Sequence, residues 1–180
     1  MSEPLTADAT VVGAGAVTAW IRATAPSVDL QATVSEVRPD GKETFVQSGW
    51  LRTSLRKLDA HRGTALAPVL TLRKRDAAPL PKGRWTKVTV PLYYQGHAYR
   101  TGSRVRVTLS AVGGDQPVWA FATAQPSRAA TVRIAHSAAM PSRLLLPEVP
   151  GAAVPTGLPP CPGLRGEPCR PYVPLANGAG

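Results

Sequence analysis

Apolar and polar residues alternate with a period of two through most of this chain, which leaves little room for anything but β-strands. Val17, Ala19, Ile21 and Ala23 alternate with Thr18, Trp20, Arg22 and Thr24. After the breaker Ala25-Pro26-Ser27, Leu30, Ala32 and Val34 alternate with Gln31, Thr33 and Ser35. Val88, Val90 and Leu92 alternate with Lys87 and Thr89, and Val105, Val107 and Leu109 with Arg104, Arg106 and Thr108. Successive strand residues point to opposite faces, so this pattern lays one face on a core and the other in water. It is the signature of antiparallel sheets packed as a sandwich. Val118 to Ala122 and Thr131 to Ala135 complete the expected strands. Arg38-Pro39-Asp40-Gly41-Lys42 reads as a tight turn, with proline presetting one dihedral and glycine free to take positive φ. Glu43 to Val46 then returns antiparallel.

Helical signals are thin. Leu51 to Leu58 predicts at most a short helical turn, because Arg52, Arg56 and Lys57 leave a weak apolar stripe. Ala60 to Gly83 carries no sustained period and contains Pro68, Pro79 and Pro81, so it reads as a long excursion between sheets. The 19 prolines and 16 glycines punctuate strands and then crowd into Glu148 to Gly180. That composition predicts one folded domain over residues 1–149 and a disordered Pro/Gly-rich tail over 150–180. A chain of 180 residues can bury one sizeable core. No segment reaches the ~18 consecutive apolar residues of a membrane-spanning helix. Ala9 to Ile21 is a poor signal-peptide core, so a secretion signal is expected only from a longer parent chain.

Chemistry-bearing patterns are weak. Net charge is +10, from 21 basic and 11 acidic residues. Yet Arg104, Arg106 and Arg133 alternate with apolar residues as a solvated sheet face would, and Arg73-Lys74-Arg75 lacks interleaved aromatics. Nucleic acid and membrane are therefore not the expected partners. Thr10 to Val17 superficially suggests a dinucleotide fingerprint. Its third glycine position is Thr18, however, and strand alternation follows, so it reads as a bend between two strands and no cofactor is expected. His61, His97 and His136 show no zinc-ligand spacing, and no Gly-x-Ser-x-Gly elbow is present. No catalytic or metal-binding residue is expected, and His136 reads as a turn-stabilising hydrogen-bonding group. Cys161 and Cys169, with seven residues between them, make a small disulfide loop if the protein is exported and free thiols if it is cytoplasmic. Of Trp20, Trp50, Trp85 and Trp119, at least two are expected in the core or a domain interface.

Four signatures then follow in a fixed order: Gly49-Trp50-Leu51-Arg52, Gly102-Ser103-Arg104-Val105-Arg106, His136 through Pro141-Ser142-Arg143, and Leu144-Leu145-Leu146-Pro147. With the Glu3 to Asp8 lead-in, Val11-Val12-Gly13, Val28-Asp29-Leu30 and Pro39-Asp40-Gly41, this set resembles the C-terminal domain of the Xaa-Pro dipeptidyl-peptidase and cocaine-esterase-like serine hydrolases. The resemblance covers about residues 3–149, and Ser103 stands where that family carries a histidine.

The resemblance implies an all-β fold, a jelly-roll β-sandwich of galactose-binding-like type. It implies a non-catalytic role beside an α/β-hydrolase domain, in cis in a longer parent or in trans, shaping the substrate cleft and stabilising assembly. No triad motif of that family maps onto this sequence. The resemblance also places earlier sandwich strands ahead of Glu3, so the chain alone is expected to leave a sheet edge open to self-association. The alternatives are a carbohydrate-binding module and a basic adaptor for anionic polymers.

Overall fold

A computed structural model describes residues 1–113, 120–123, 129–162 and 168–174. Among the described residues ten strands follow in order: β1 (Ala9–Gly13), β2 (Ala16–Ala23), β3 (Asp29–Val37), β4 (Lys42–Arg52), β5 (Thr86–Pro91), β6 (Gln95–Tyr99), β7 (Arg104–Ser110), β8 (Val132–Ile134), β9 (Arg143–Leu145) and β10 (Cys169–Pro171). They form a sheet ordered β10-β4-β3-β7, a sheet ordered β5-β2-β8 with β9 also paired to β2, and a β1-β6 ribbon. All pairings are antiparallel. The fold is an all-β jelly-roll sandwich.

The period-two residues fill its core. Val17, Ala19 and Ile21 of β2 and Val88 and Val90 of β5 meet Leu30, Ala32 and Val34 of β3 and Leu51 of β4. The β3–β4 hairpin turns at Arg38 to Lys42, where Arg38 N–H donates to Lys42 O (2.8 Å) and Gly41 N–H to Arg38 O (3.1 Å). A register shift in β3–β4 passes from Val34↔Gln47 to Ser35↔Phe45, and Val46 still reaches the core.

Several expectations change in detail. The short helical turn expected over Leu51–Leu58 is a single 3-10 turn, Thr53–Leu55, because β4 runs on to Arg52. Thr53 is fully buried and its Oγ1 accepts from Val28 N–H (2.9 Å), which pins the chain beside the start of β3. The strand expected over Val118–Ala122 falls partly outside the described residues, and Ala120 to Ala122 form no strand. Of the tryptophans, Trp20, Trp50 and Trp85 are half-buried and none belongs to the core; Trp119 lies outside the described residues. Alternation predicts a wet outer face on β3 and β4, yet Gln31, Ser35, Glu43 and Ser48 are buried. Trp50 and the chain beyond β7 cover one end of this face, and the C-terminal tail covers the other.

Both edges of this larger sheet are also occupied in part. β10 pairs with Lys42, Glu43 and Thr44 of β4. Along β7, Ser2 N–H donates to Val105 O and Leu5 N–H to Ser103 O, both at 2.8 Å. The open edge expected from sequence is thus narrowed by the protein's own termini.

Candidate interaction site

Among the described residues, Ser103, His97 and Glu36 bring together the three side-chain types of a hydrolytic triad. β3 supplies Glu36 and β6 supplies His97, while Ser103 precedes β7. The order is wrong for nucleophilic catalysis. Glu36 sits in the middle: Ser103 Oγ donates to Oε1 (2.6 Å) and His97 Nε2 lies 2.8 Å from Oε2. Ser103 is completely buried and its proton goes to the carboxylate, so no imidazole is in place to activate it. Burial raises the Glu36 pKa, but the hydrogen bonds from His97 and Ser103 outweigh it and hold the carboxyl below its ordinary value. Tyr99 stacks edge-on against His97 (centroids 4.6 Å), and burial with the Glu36 charge pushes its phenol pKa up. The cluster is a structural knot at one end of the sandwich.

The other histidines lie apart from it. His61 and His136 are exposed, and the His136 corner is held by Ser137 and Ser142, whose hydroxyls bond Met140 N–H and Ala135 O. No group of three or more His, Cys, Asp or Glu residues able to hold a metal ion occurs among the described residues. Cys161 and Cys169 are joined, with Cα atoms 5.7 Å apart.

The strongest surface feature is aromatic. Trp50 is fixed by its indole N–H donating to Gln31 Oε1 (2.8 Å). Tyr93 stands edge-on to it (5.1 Å) and Phe121 is tilted against it (5.4 Å). Tyr93 and Tyr94 are 64% and 76% exposed, far more than large aromatics usually are in an isolated domain. A groove of about 570 Å³ runs between Trp50, Tyr93, Tyr94 and Phe121. A second hollow continues from Trp50 and Phe121 to Leu70 and Leu72. Leu72 is 65% exposed and held at φ 51°, a conformation costly for a side chain of its size. Sequence reasoning missed this surface, because its residues come from four separated segments. Only the adjacent Tyr93-Tyr94 pair marked it.

The most prominent surface feature among the described residues is thus a contiguous apolar patch, of the kind that marks interaction sites. Comparison with known proteins makes this specific. The family of the X-Pro dipeptidyl-peptidase C-terminal non-catalytic domain matches residues 1–145, and the chain belongs to that family. Proteins described as serine esterases in Mycobacterium bovis and Mycobacterium tuberculosis are 28% identical over 152 residues, which are 82% of this chain and 23% of theirs. The chain thus spans about a quarter of the length of these relatives. Among solved structures, a CocE/NonD family hydrolase from Staphylococcus aureus is similar with TM-score 0.66 and 21% identity, over 81% of this chain and 29% of that one. An aminopeptidase from a marine sediment Thaumarchaeota archaeon matches with TM-score 0.60 and 19% identity, over 82% of this chain and 25% of that one. An α-amino acid ester hydrolase matches with TM-score 0.59 and 21% identity, over 82% and 24%.

Proposed function

We propose that this chain is the non-catalytic sandwich of an acyl hydrolase, packing against an α/β-hydrolase portion to stabilise it and wall its substrate cleft. In this reading the domain closes at residue 149 and residues 150–180 are an appendage. The observation that carries it is the surface from Leu72 through Trp50 and Phe121 to Tyr93 and Tyr94, presented by a member of this domain family. Large apolar side chains left outward in this number need a partner to exclude water. The relatives' length supplies the partner's class, since each is a hydrolase or aminopeptidase several times longer than this domain.

The test is co-expression with the hydrolase portion of a mycobacterial relative stripped of its own C-terminal domain. Co-elution is expected, with a raised Tm for the hydrolase portion. Tyr94→Ser combined with Leu72→Ser should weaken the association about tenfold without unfolding the sandwich, as loss of interface anchors does. Turnover of an activated p-nitrophenyl ester by the chain alone, or association untouched by the double variant, would overturn the reading.

A further inference from the structure

The outer face of the β5-β2-β8 sheet gathers cations around a tryptophan. Cross-strand register fixes which side chains share it. Thr18 lies between Thr89 and Arg143, and Trp20 lies beside Lys87. Arg22 lies directly opposite Arg133. The Arg22 guanidinium sits 5.0 Å from the ring centroid of Trp85, which precedes β5. Four cations therefore surround Trp20: Arg22, Lys87, Arg133 and Arg143. Cross-strand neighbours are about 5 Å apart and same-face neighbours along a strand about 7 Å, so the four fall within about 15 Å of one another.

Among the described residues no carboxylate shares this register with them. Within the described residues none of the four makes an ion pair, whereas Arg38, Arg52, Arg104, Arg106 and Arg170 all do. Asp59 borders the Thr18–Thr89 end, and its Oδ1 accepts from the backbone N–H groups of His61 and Arg62. Arg22 facing Arg133 is also unfavourable in itself, because like charges directly opposite destabilise a sheet. A fold that holds such a pair unneutralised has a face suited to an anionic partner.

We infer that this face binds an acidic polysaccharide of the uronic-acid type. The Trp20 ring offers an apolar plate for the C–H face of a sugar, and the surrounding guanidinium groups match carboxylates bidentately. The Thr18 and Thr89 hydroxyls, 3.2 Å apart, supply donors and acceptors for sugar hydroxyls at the same face. Two other anionic partners fit less well. A bilayer selects aromatics that project into it, whereas Trp20 lies half-buried in the sheet. Single-stranded nucleic acid uses a succession of free aromatic plates, whereas Trp85 is already covered by Arg22. The inference rests on residues other than those of the proposed hydrolase contact.

The test uses the full chain with oligogalacturonate, followed by calorimetry and tryptophan fluorescence. Neutral galactan, an oligothymidylate and anionic phosphatidylglycerol vesicles are run alongside. Oligogalacturonate should bind, change the tryptophan emission, and weaken as salt rises. Arg22→Ser with Arg133→Ser should lower affinity about tenfold while Tm stays equal or rises, because the like-charge pair is relieved. Lys87→Ser, at an exposed position, provides a second variant and should weaken binding in the same direction. Equal binding of neutral galactan, tighter binding of oligothymidylate or vesicles, or affinity unchanged in both variants would each overturn the inference.

Discussion

Glu36 is the residue on which most of one end of the sandwich depends. Its carboxylate takes a hydrogen bond from Ser103 and one from His97, and its side chain is only 4% exposed. Replacing it by alanine leaves a buried hydroxyl and an imidazole without their acceptor. Glu36→Ala should therefore cost about 3 kcal/mol at neutral pH, read from the urea midpoint. The pH dependence follows from the lowered folded-state pKa. Glu36 contributes stability that is complete above its unfolded pKa and is lost as pH falls through the lower folded value. Glu36→Gln should lower Tm at neutral pH and flatten the acid limb of the Tm profile; an unchanged limb would assign acid sensitivity elsewhere. None of this was legible locally. Ser103 and His97 lie 67 and 61 residues from Glu36, and only the packing of three strands brings them together.

At the scale of elements, the C-terminal tail behaves as a strap. Pro168 O accepts from Phe45 N–H (3.0 Å) and Tyr172 N–H donates to Gly41 O (2.9 Å). Arg170 approaches Glu43 at 3.4 Å, the Arg106 guanidinium reaches the same carboxylate at 3.0 Å, and the Tyr172 ring lies under Arg106. Arg38 adds a bond to Pro159 O at 2.9 Å. The Cys161–Cys169 bridge closes a short loop just before β10, and constraint of that size contributes roughly 2–3 kcal/mol to holding the strap in place. With both cysteines changed to serine, residues 150–174 should become sensitive to limited proteolysis while the sandwich core keeps its own unfolding midpoint. Simultaneous loss of both would mean the strap is integral to the domain. The Pro/Gly composition predicted a disordered tail here, whereas Cys169–Pro171 is ordered as β10 because it finds the free edge of β4. It gave no sign of β10, because three residues carry no legible period. Gly49 shows the opposite case. It is conspicuous in the Gly49-Trp50-Leu51-Arg52 signature, and the reason is tertiary: a Cβ there would collide with the Pro91 carbonyl at the end of β5.

For the whole molecule, the two outer faces of the sandwich differ in kind. One carries the strap and the aromatic surface, with Gln31, Ser35, Glu43 and Ser48 buried beneath. The other is cationic and centred on Trp20, with Asp59 and its loop at the Thr18–Thr89 end. The larger sheet has β10 on part of one edge and Ser2 to Leu5 along the other, so both of its edges are partly paired. We therefore expect the isolated chain to unfold in one cooperative urea transition, followed by tryptophan fluorescence, and to sediment as a monomer at micromolar concentration. Soluble aggregates or a featureless unfolding curve would show that the termini do not protect the edges enough for independent folding.

The sequence by itself determined the class of fold, the positions of β2, β3, β5 and β7, and the turn at Arg38 to Lys42. These follow from period-two patterning and from backbone preferences of proline and glycine, which act within a few residues. It also carried the ordered signatures of the family. Tertiary structure alone decided which polar residues are buried, which tryptophans share a face, and which arginines stay unpaired. Those outcomes depend on strand register and on which segment covers which sheet. Register is set by packing between residues tens of positions apart, and local pattern does not encode it.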